Sequence, residues 1–245
     1  MRNLLVSILA SMAAFGLSST QAVAGSFSIS PVRVDLAAQA TTGVVTIRNQ
    51  EDQPVVVQAE TMLWQQTSAG DQLAPTRDVL VTPAVFTIPP KGSQVVRLAL
   101  RRDADPRMEL SYRLILTEVP QQAAPGFNGL NMALRMSLPI FIAAQAPTEP
   151  QVKWSAARSQ DGKVAITAQN AGSEHARVLD MAVSPQPGDG EWLRQPGAYY
   201  VLPGQARSWT IEPDKNNNSA QWRQLRVKGS TEDGDFATEL SLTPE

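Results

Sequence analysis

Short runs in which apolar and polar residues alternate recur along the chain, and they constrain its fold more than any other feature. The runs are rich in Val, Ile and Leu, and Gly, Pro and Asn separate them. After the first 24 residues no segment sustains the apolar period of three to four residues that marks an amphipathic helix. Seven strands at this spacing are typical of an immunoglobulin-like β-sandwich. In the first half of the chain the runs are residues 28–36, 43–48, 54–65, 77–81, 94–100, 110–119 and 130–142.

The second half of the chain repeats this plan weakly. Residues 164–170 resemble residues 44–49, and each run ends in a turn that an asparagine begins. Residues 201–205 resemble residues 88–94, and each is a Pro/Gly turn that leads into an apolar strand. These similarities indicate a second domain of the same architecture.

A proline-containing segment, residues 145–150, separates the two halves and lacks apolar alternation, which is typical of a short, semi-stiff linker. We therefore predict an all-β protein, in which two immunoglobulin-like β-sandwich domains are joined by a short hinge into a boomerang-like shape. The predicted domains are residues 25–144 and 151–245. A cleft between two such domains is the first place to look for a bound partner.

The N-terminal segment has the features of a secretory signal peptide. Arg2 supplies a positive charge, residues 4–17 are mostly apolar, and Ala22 and Ala24 are the small residues of a cleavage site. The apolar stretch is shorter than the roughly 20 residues that span a bilayer, and serines dilute it. We therefore expect residues 1–24 to be removed, and we expect an exported protein with no membrane insertion.

Composition excludes several kinds of chemistry. The chain has no cysteine and one histidine, so Ser-His-Asp, Cys-His and His-rich zinc sites are unavailable. That histidine, His175, follows a Gly-Ser turn, and we expect it to be a solvated loop residue. A glycosidase pair of carboxylates is compatible with the composition, but the acidic residues fall mostly in turn-like stretches such as residues 232–235. We predict no catalytic residue, no metal and no cofactor.

The charge pattern does not favour a nucleic-acid partner. The formal net charge is -2, and the basic residues do not cluster along one segment. Nucleic-acid binding requires a basic patch on one face of the domain. We therefore predict no nucleic-acid binding.

The run at residues 130–142 differs from an ordinary strand. Its even positions are apolar without a break, and its odd positions are mostly small or polar. At about 3.3 Å per residue it would extend roughly 40 Å, longer than a typical strand. Pro139 cannot donate to a ladder, which favours an edge or a bend. Two interpretations follow: an ordinary core strand, or an edge strand that pairs with a strand of another protein.

Several motifs along the first half resemble the periplasmic pilus-assembly chaperones of the chaperone-usher pathway, which are PapD-like. They are Ser-Pro-Val-Arg-Val at residues 30–34, the Ile-Pro-Pro-Lys-Gly segment at 88–98, Tyr-Arg-Leu-Ile-Leu-Thr-Glu-Val-Pro at 112–120 and the alternating strand itself. Residues 111–114 are similar to the archaic branch of the family. The resemblance implies a periplasmic chaperone that donates a strand to a pilin subunit and delivers the subunit to an outer-membrane usher.

The resemblance also implies site residues. The donor side chains would be Leu130, Met132, Leu134 and Met136. The family holds the terminal carboxylate of its client on two basic residues, and Arg33, in the predicted first strand, matches one of them.

The second basic residue, a lysine in the family, falls at Pro139 in this chain. The resemblance to the archaic branch implies that Arg113 supplies the missing charge. The alternative is that Arg113 is an edge residue in solvent. For Arg33 the alternative is likewise a solvated strand residue, and we expect Arg135, on the polar face of the donor strand, to be solvated.

Two rival functions share the export signal and the sandwich plan. A pilus or surface subunit should carry its own donor extension after the signal, but here the mature start leads almost directly into residues 29–33. A carbohydrate-binding sandwich requires exposed aromatic residues on one face, and the three Tyr and five Trp are scattered along the chain. Self-association of the free protein would be one further way to cover an apolar edge.

Overall fold

The computed structural model describes residues 27–67, 70–120, 133–159, 162–186, 193–212 and 222–244. The predicted signal peptide, residues 1–24, lies outside these ranges, and so do Leu130 and Met132 of the predicted donor strand. The described part of the chain contains no helix long and apolar enough to cross a membrane.

The first half of the chain forms ten strands within the described ranges. They are β1 (Phe27–Ser30), β2 (Val34–Leu36), β3 (Thr42–Asn49), β4 (Val55–Thr67), β5 (Gly70–Pro75), β6 (Val79–Thr82), β7 (Val85–Ile88), β8 (Ser93–Leu100), β9 (Leu110–Val119) and β10 (Arg135–Ile142). One sheet has the order β1-β3-β8-β6, and the other has the order β2-β10-β9-β4-β5, with β7 also paired to β4.

These two sheets enclose one apolar core because their inward residues alternate with polar ones. On β3, Val45 and Ile47 are fully buried, and on β8, Val96 and Leu98 are fully buried. Residues between them on each strand point away from the core, as the period of a strand requires. The predicted all-β, immunoglobulin-like fold class is confirmed.

The predicted first strand, residues 28–36, is two strands in two different sheets. β1 pairs antiparallel with β3, whereas β2 pairs parallel with β10. The chain changes sheets at residues 31–33, where Pro31 lacks the N–H that a continuous ladder would need. Arg33 therefore lies at the bend before β2 and not inside a strand, which corrects its predicted position.

The second half of the chain forms seven strands within the described ranges. They are β11 (Val152–Arg158), β12 (Val164–Asn170), β13 (Ala176–Gln186), β14 (Leu193–Val201), β15 (Ala206–Ile211), β16 (Gln224–Thr231) and β17 (Gly234–Pro244). Their hydrogen-bonded order is β14-β13-β16-β17-β11-β12-β15. Buried residues from these strands, among them Ile166, Val178 and Leu225, form a second core.

Two buried asparagines make equivalent hydrogen bonds in the two halves of the chain. Asn49 Nδ2 donates to the Gln53 and Ile88 carbonyl oxygens, at 2.7 and 3.3 Å. Asn170 Nδ2 donates to the Glu174 and Val201 carbonyl oxygens, at 2.7 and 3.0 Å. In each half, one bond closes the turn that the asparagine begins, and the other ties it to the strand before the Pro/Gly turn. The similarities seen in the sequence thus have a shared structural cause.

Candidate functional site

The even positions of β10 face the core of the N-terminal sandwich, and their burial falls towards the start of the strand. Leu138, Ile140 and Ile142 are buried members of that core. Met136 is partly buried and packs against the same core, whereas Leu134 is half-buried and lies outside that cluster. The core interpretation therefore holds for the end of the strand, and the apolar stripe continues beyond it.

One edge of β10 has a strand partner along only part of its length. β9 pairs with all of residues 135–142, but on the opposite edge β2 pairs with residues 140–142 alone. No other strand of the described residues pairs with β10 along residues 135–139. This stretch is an open sheet edge, which is the kind of surface that pairs with another chain.

The ladder fixes which backbone groups point to the open edge. The Glu118 amide donates to the Leu134 carbonyl at 2.8 Å, so the even-numbered residues direct their backbone N–H and C=O groups towards β9. The Ala143 amide donates to the Leu36 carbonyl at 2.8 Å, so odd residues point the other way. Antiparallel ladders alternate in this manner. Arg135 and Ser137 thus point their N–H and C=O groups at the open edge, and Pro139 has only a carbonyl there.

Arg33 and Arg113 lie on either side of Pro139. Arg113 is paired with Pro139 across the β9–β10 ladder, and Arg33 immediately precedes Val34, which pairs with Ile140. Since neighbouring strands are about 4.8 Å apart, the two arginine backbones are separated by about 10 Å. Arg33 hydrogen-bonds Glu232 of the C-terminal half, and the Trp64 ring under Arg113 contacts the Tyr200 ring of the same half. Both side chains therefore face the second domain.

The Arg113 side chain is largely removed from solvent. Its exposed fraction is 15%, and its guanidinium carbon lies 3.5 Å from the centroid of the Trp64 ring. Its nearest carboxylate oxygen is that of Asp71, at 3.8 Å from Nη2. Burial lowers the pKa of Arg113, which Asp71 only partly offsets. Arg113 is a desolvated cation at the domain interface, so the alternative of an edge residue in solvent is wrong.

Arg33 is held by two carboxylates. Its Nε donates to Asp35 Oδ2 at 2.8 Å, and its Nη1 lies 3.0 Å from both carboxylate oxygens of Glu232. Burial alone would lower the pKa of Arg33, but these hydrogen bonds outweigh it and raise the pKa above its ordinary value. Glu232 belongs to the turn between β16 and β17, and it also accepts a 2.6 Å bond from Arg177 Nη1. Arg33 is thus paired across the domain interface and is not a freely solvated strand residue.

An aromatic cluster holds the two domains together beside these charges. Trp64, Phe141 and Leu202 are buried together, and Tyr200 packs against them. Gln66 adds polar contacts: its Nε2 donates to the Tyr200 carbonyl at 2.9 Å, and its Oε1 accepts from the Leu202 amide at 2.9 Å. Contacts from both domains thus fix the orientation of the interface on which Arg33 and Arg113 lie.

His175 belongs to this interface and is not the solvated loop residue that the sequence predicts. Its side chain is 8% exposed, and its ring stacks on Phe141 with centroids 3.7 Å apart. Its Nδ1 lies 2.8 Å from Glu109 Oε1, and burial raises the pKa of Glu109 although the His175 hydrogen bond opposes the shift. The sequence gives no signal for this contact, because Glu109 and Phe141 belong to the other domain.

A cavity of about 500 Å³ lies between the domains beside this cluster. Arg33, Glu109, His175, Arg177 and Glu232 are among its lining residues. Within the described ranges, no group of His, Asp or Glu side chains is arranged to hold a metal ion. The site therefore offers a partner two partly buried arginines and an open strand edge.

The first half of the chain matches a known protein family. Residues 26–147 match the family model of the pili and flagellar-assembly chaperones, PapD N-terminal domain. This is a family of assembly chaperones and not of enzymes, which confirms the non-enzymatic prediction. A search of curated protein sequences found no match.

Solved structures of similar fold span nearly the whole chain. The CsuC chaperone, solved with the tip adhesion subunit CsuE of the archaic Csu pili of Acinetobacter baumannii, is 20% identical, with a TM-score of 0.66 over 89% of this chain and 99% of that one. The SafB chaperone of Salmonella enterica, solved with the SafA pilin, is 14% identical, with a TM-score of 0.56 over 90% and 98%. The chaperone DraB of E. coli is 16% identical, with a TM-score of 0.55 over 89% and 98%.

Proposed function

Since the chain belongs, through its PapD N-terminal domain, to the pili and flagellar-assembly chaperones, we propose that it binds pilin subunits by donor-strand complementation. In this mode an immunoglobulin-like subunit that lacks its last strand receives a strand from the chaperone. The observation that carries the proposal is the open edge of β10 at residues 135–139, beside an apolar stripe that is only partly used by its own core.

The donated side chains are Leu130, Met132, Leu134 and Met136. Leu134 and Met136 support this assignment because each is half-buried in the free protein, so each keeps apolar surface that a client can cover. Burying such surface is favourable by about 25 cal/mol per Å². Leu130 and Met132 extend the stripe by sequence parity alone.

Arg33 and Arg113 anchor the terminal carboxylate of the client. A client strand laid on residues 135–139 cannot continue to Ile140, because β2 occupies the same edge from Ile140 onwards. If the client strand runs parallel to β10, as β2 does, its C-terminus ends beside Arg33 and Pro139. Two arginines at that point match the charge of a chain end, and charge-assisted hydrogen bonds are the stronger kind.

The predicted signal peptide and the family support a periplasmic location, and we propose that the chaperone passes its subunit to an outer-membrane usher. The free protein can also cover its open edge by self-association until a subunit arrives. A carbohydrate-binding function is less well supported, because the tryptophans that the structure describes, Trp64, Trp154, Trp209 and Trp222, are buried or half-buried. Stacking on sugars requires aromatic faces that solvent can reach.

The experiment compares Leu134→Asp with Ala133→Asp. Both add one carboxylate at neighbouring positions, but Leu134 is on the apolar stripe and Ala133 is exposed on the other face. An unpaired charge in an apolar groove costs several kcal/mol, so Leu134→Asp should abolish the recovery of pilin subunits from a periplasmic extract. Ala133→Asp should recover them as the wild type does.

Melting of each purified variant without client separates binding from folding. A folded Leu134→Asp protein that captures subunits normally removes β10 from the mechanism. If the wild type co-purifies with no pilin subunit, the proposed function itself is wrong.

A further inference from the structure

The carboxylate of Glu232 occupies the place at Arg33 where a client carboxylate is proposed to bind. Both of its oxygens lie 3.0 Å from Arg33 Nη1, which is the geometry of a carboxylate ligand on a guanidinium. Glu232 comes from the other domain, 199 residues away in sequence. Its side chain is 38% exposed, so it is bound but not sealed in.

Asp35, the second carboxylate on Arg33, is placed differently. It lies on β2, two residues from Arg33, and it accepts a hydrogen bond from Nε, the guanidinium nitrogen closest to the backbone. Glu232 bonds Nη1, at the far end of the group, and reaches it from the β16–β17 turn. Glu232 therefore occupies the tip of the Arg33 side chain, which is the part that an incoming carboxylate would contact.

Arg177 gives Glu232 a second ligand. Its Nη1 lies 2.6 Å from Glu232 Oε1, so Glu232 remains paired if its contact with Arg33 is lost. Arg177 Nε is buried and has no hydrogen-bond partner among the described residues. Arg177 thus retains capacity to hold a carboxylate beyond the bond it already makes.

We propose that Glu232 is an internal competitor for the client carboxylate, which holds Arg33 in the client-free protein and moves fully onto Arg177 when a client binds. This inference rests on the proposed function, because it concerns the same arginine anchor. It adds a residue of the C-terminal domain to client recognition. It also implies that affinity for a client is lower than the bare arginines would give, which makes later release of the client easier.

The test uses two versions of one probe, an acetylated hexapeptide that alternates Val and Thr, with either a free C-terminal carboxylate or a C-terminal amide. Calorimetric titration measures the affinity of each peptide for the full-length protein. Glu232→Gln keeps the shape of the side chain and removes its charge. It should raise affinity for the acid peptide by about threefold, the size expected of a partly exposed ion pair. Affinity for the amide peptide should not change.

Asp233→Asn is the matched control. Asp233 lines the same cavity next to Glu232 in sequence, whereas the carboxylates that pair with Arg33 are those of Asp35 and Glu232. The Asp233→Asn substitution removes the same unit of charge, and it should leave the affinities for the acid peptide and the amide peptide unchanged. If Asp233→Asn raises acid-peptide affinity as much as Glu232→Gln does, the effect is long-range charge and the competitor role is overturned.

The other outcomes are equally decisive. If Glu232→Gln leaves acid-peptide affinity unchanged or weakens it, Glu232 positions Arg33 and does not compete. The proposed function survives in that case, provided that the wild type still prefers the acid peptide and Leu134→Asp still abolishes capture. If the wild type binds neither peptide better than Leu134→Asp does, this inference fails. The proposed function fails with it only when the wild type also captures no pilin subunit. Melting of Glu232→Gln confirms that the protein tested is folded.

Discussion

Pro139 on β10 is paired directly with Arg113 on β9. The position at which the family resemblance expects a lysine therefore has no charge, while the residue opposite it in the ladder carries one. On the other side of Pro139, Arg33 precedes β2, so a cation lies on each flank of an uncharged residue. An anchor of two basic residues can be built in this way without any basic residue on the donor strand itself.

The first prediction concerns the charge of Arg113. Arg113→Met keeps an unbranched side chain over Trp64 but removes the guanidinium. We expect subunit recovery to fall at least about tenfold, since a hydrogen bond to a charged group contributes roughly 1.5 to 3 kcal/mol. Arg135→Met, which removes an exposed arginine from β10, is the control and should recover subunits normally. Normal recovery with Arg113→Met would show that this arginine only packs on Trp64.

The second prediction separates the two uses of the apolar stripe. Leu138→Ala removes a buried core side chain and should lower the free energy of unfolding by about 2 to 5 kcal/mol. Leu134→Ala removes a half-buried side chain outside that cluster and should lower it by less than about 1 kcal/mol. Urea unfolding of the free protein measures both. Among molecules that remain folded, Leu134→Ala should reduce the capture of pilin subunits more than Leu138→Ala does. A large loss of stability in Leu134→Ala would favour the core interpretation.

The sequence predicts those elements whose residues alternate. β3 and β8 have buried and exposed residues at every second position, and both were predicted within a residue or two. β5 was missed because five of its six residues are exposed, which leaves no apolar period to detect. β7 was also missed, although its four residues alternate between buried and exposed as those of the predicted β6 do.

Contacts between the domains could not be predicted from local pattern. The sequence indicates Arg33 and Arg113 through family motifs, but Glu232 and Arg177 lie in no such motif, and their position depends on how the second domain packs on the first. The same reason explains His175. Its neighbours in sequence predict a solvated turn, and His175 does lie in the connection between β12 and β13. Its ring, however, stacks on Phe141 and bonds Glu109, both of the other domain.

The third prediction follows from that correction. His175→Ala removes the ring that stacks on Phe141 and leaves the buried Glu109 carboxyl without its histidine bond. We expect the free energy of unfolding to fall by about 2 kcal/mol, the usual penalty for a buried polar group that loses its partner. Urea unfolding measures it. A stability equal to that of the wild type would mean that solvent readily replaces His175 at the interface.

The last prediction is a pH dependence. The Glu232 pKa lies below its ordinary value of 4.5: burial alone would raise it, but hydrogen bonds from Arg177 and Arg33 more than offset burial. A carboxyl whose folded-state pKa is lowered stabilises the fold above its unfolded pKa, and this contribution disappears as pH falls through the lowered value. The wild type should therefore exceed Glu232→Gln in stability near neutral pH, and the difference should shrink as pH falls below 4.5 and vanish once pH is below the lowered pKa of Glu232.

The size of this difference is limited by solvent. Because the Glu232 side chain is 38% exposed, screening should hold the contribution to about 1 kcal/mol or less. Urea unfolding of the wild type and of Glu232→Gln across the acidic range measures it. Glu239→Gln breaks an exposed pair with Arg226, five residue pairs along the β16–β17 ladder from the turn that contains Glu232, and it shows what an ordinary surface carboxylate contributes. A difference between wild type and Glu232→Gln that does not change with pH would mean that Glu232 is not held as a carboxylate by its two arginines.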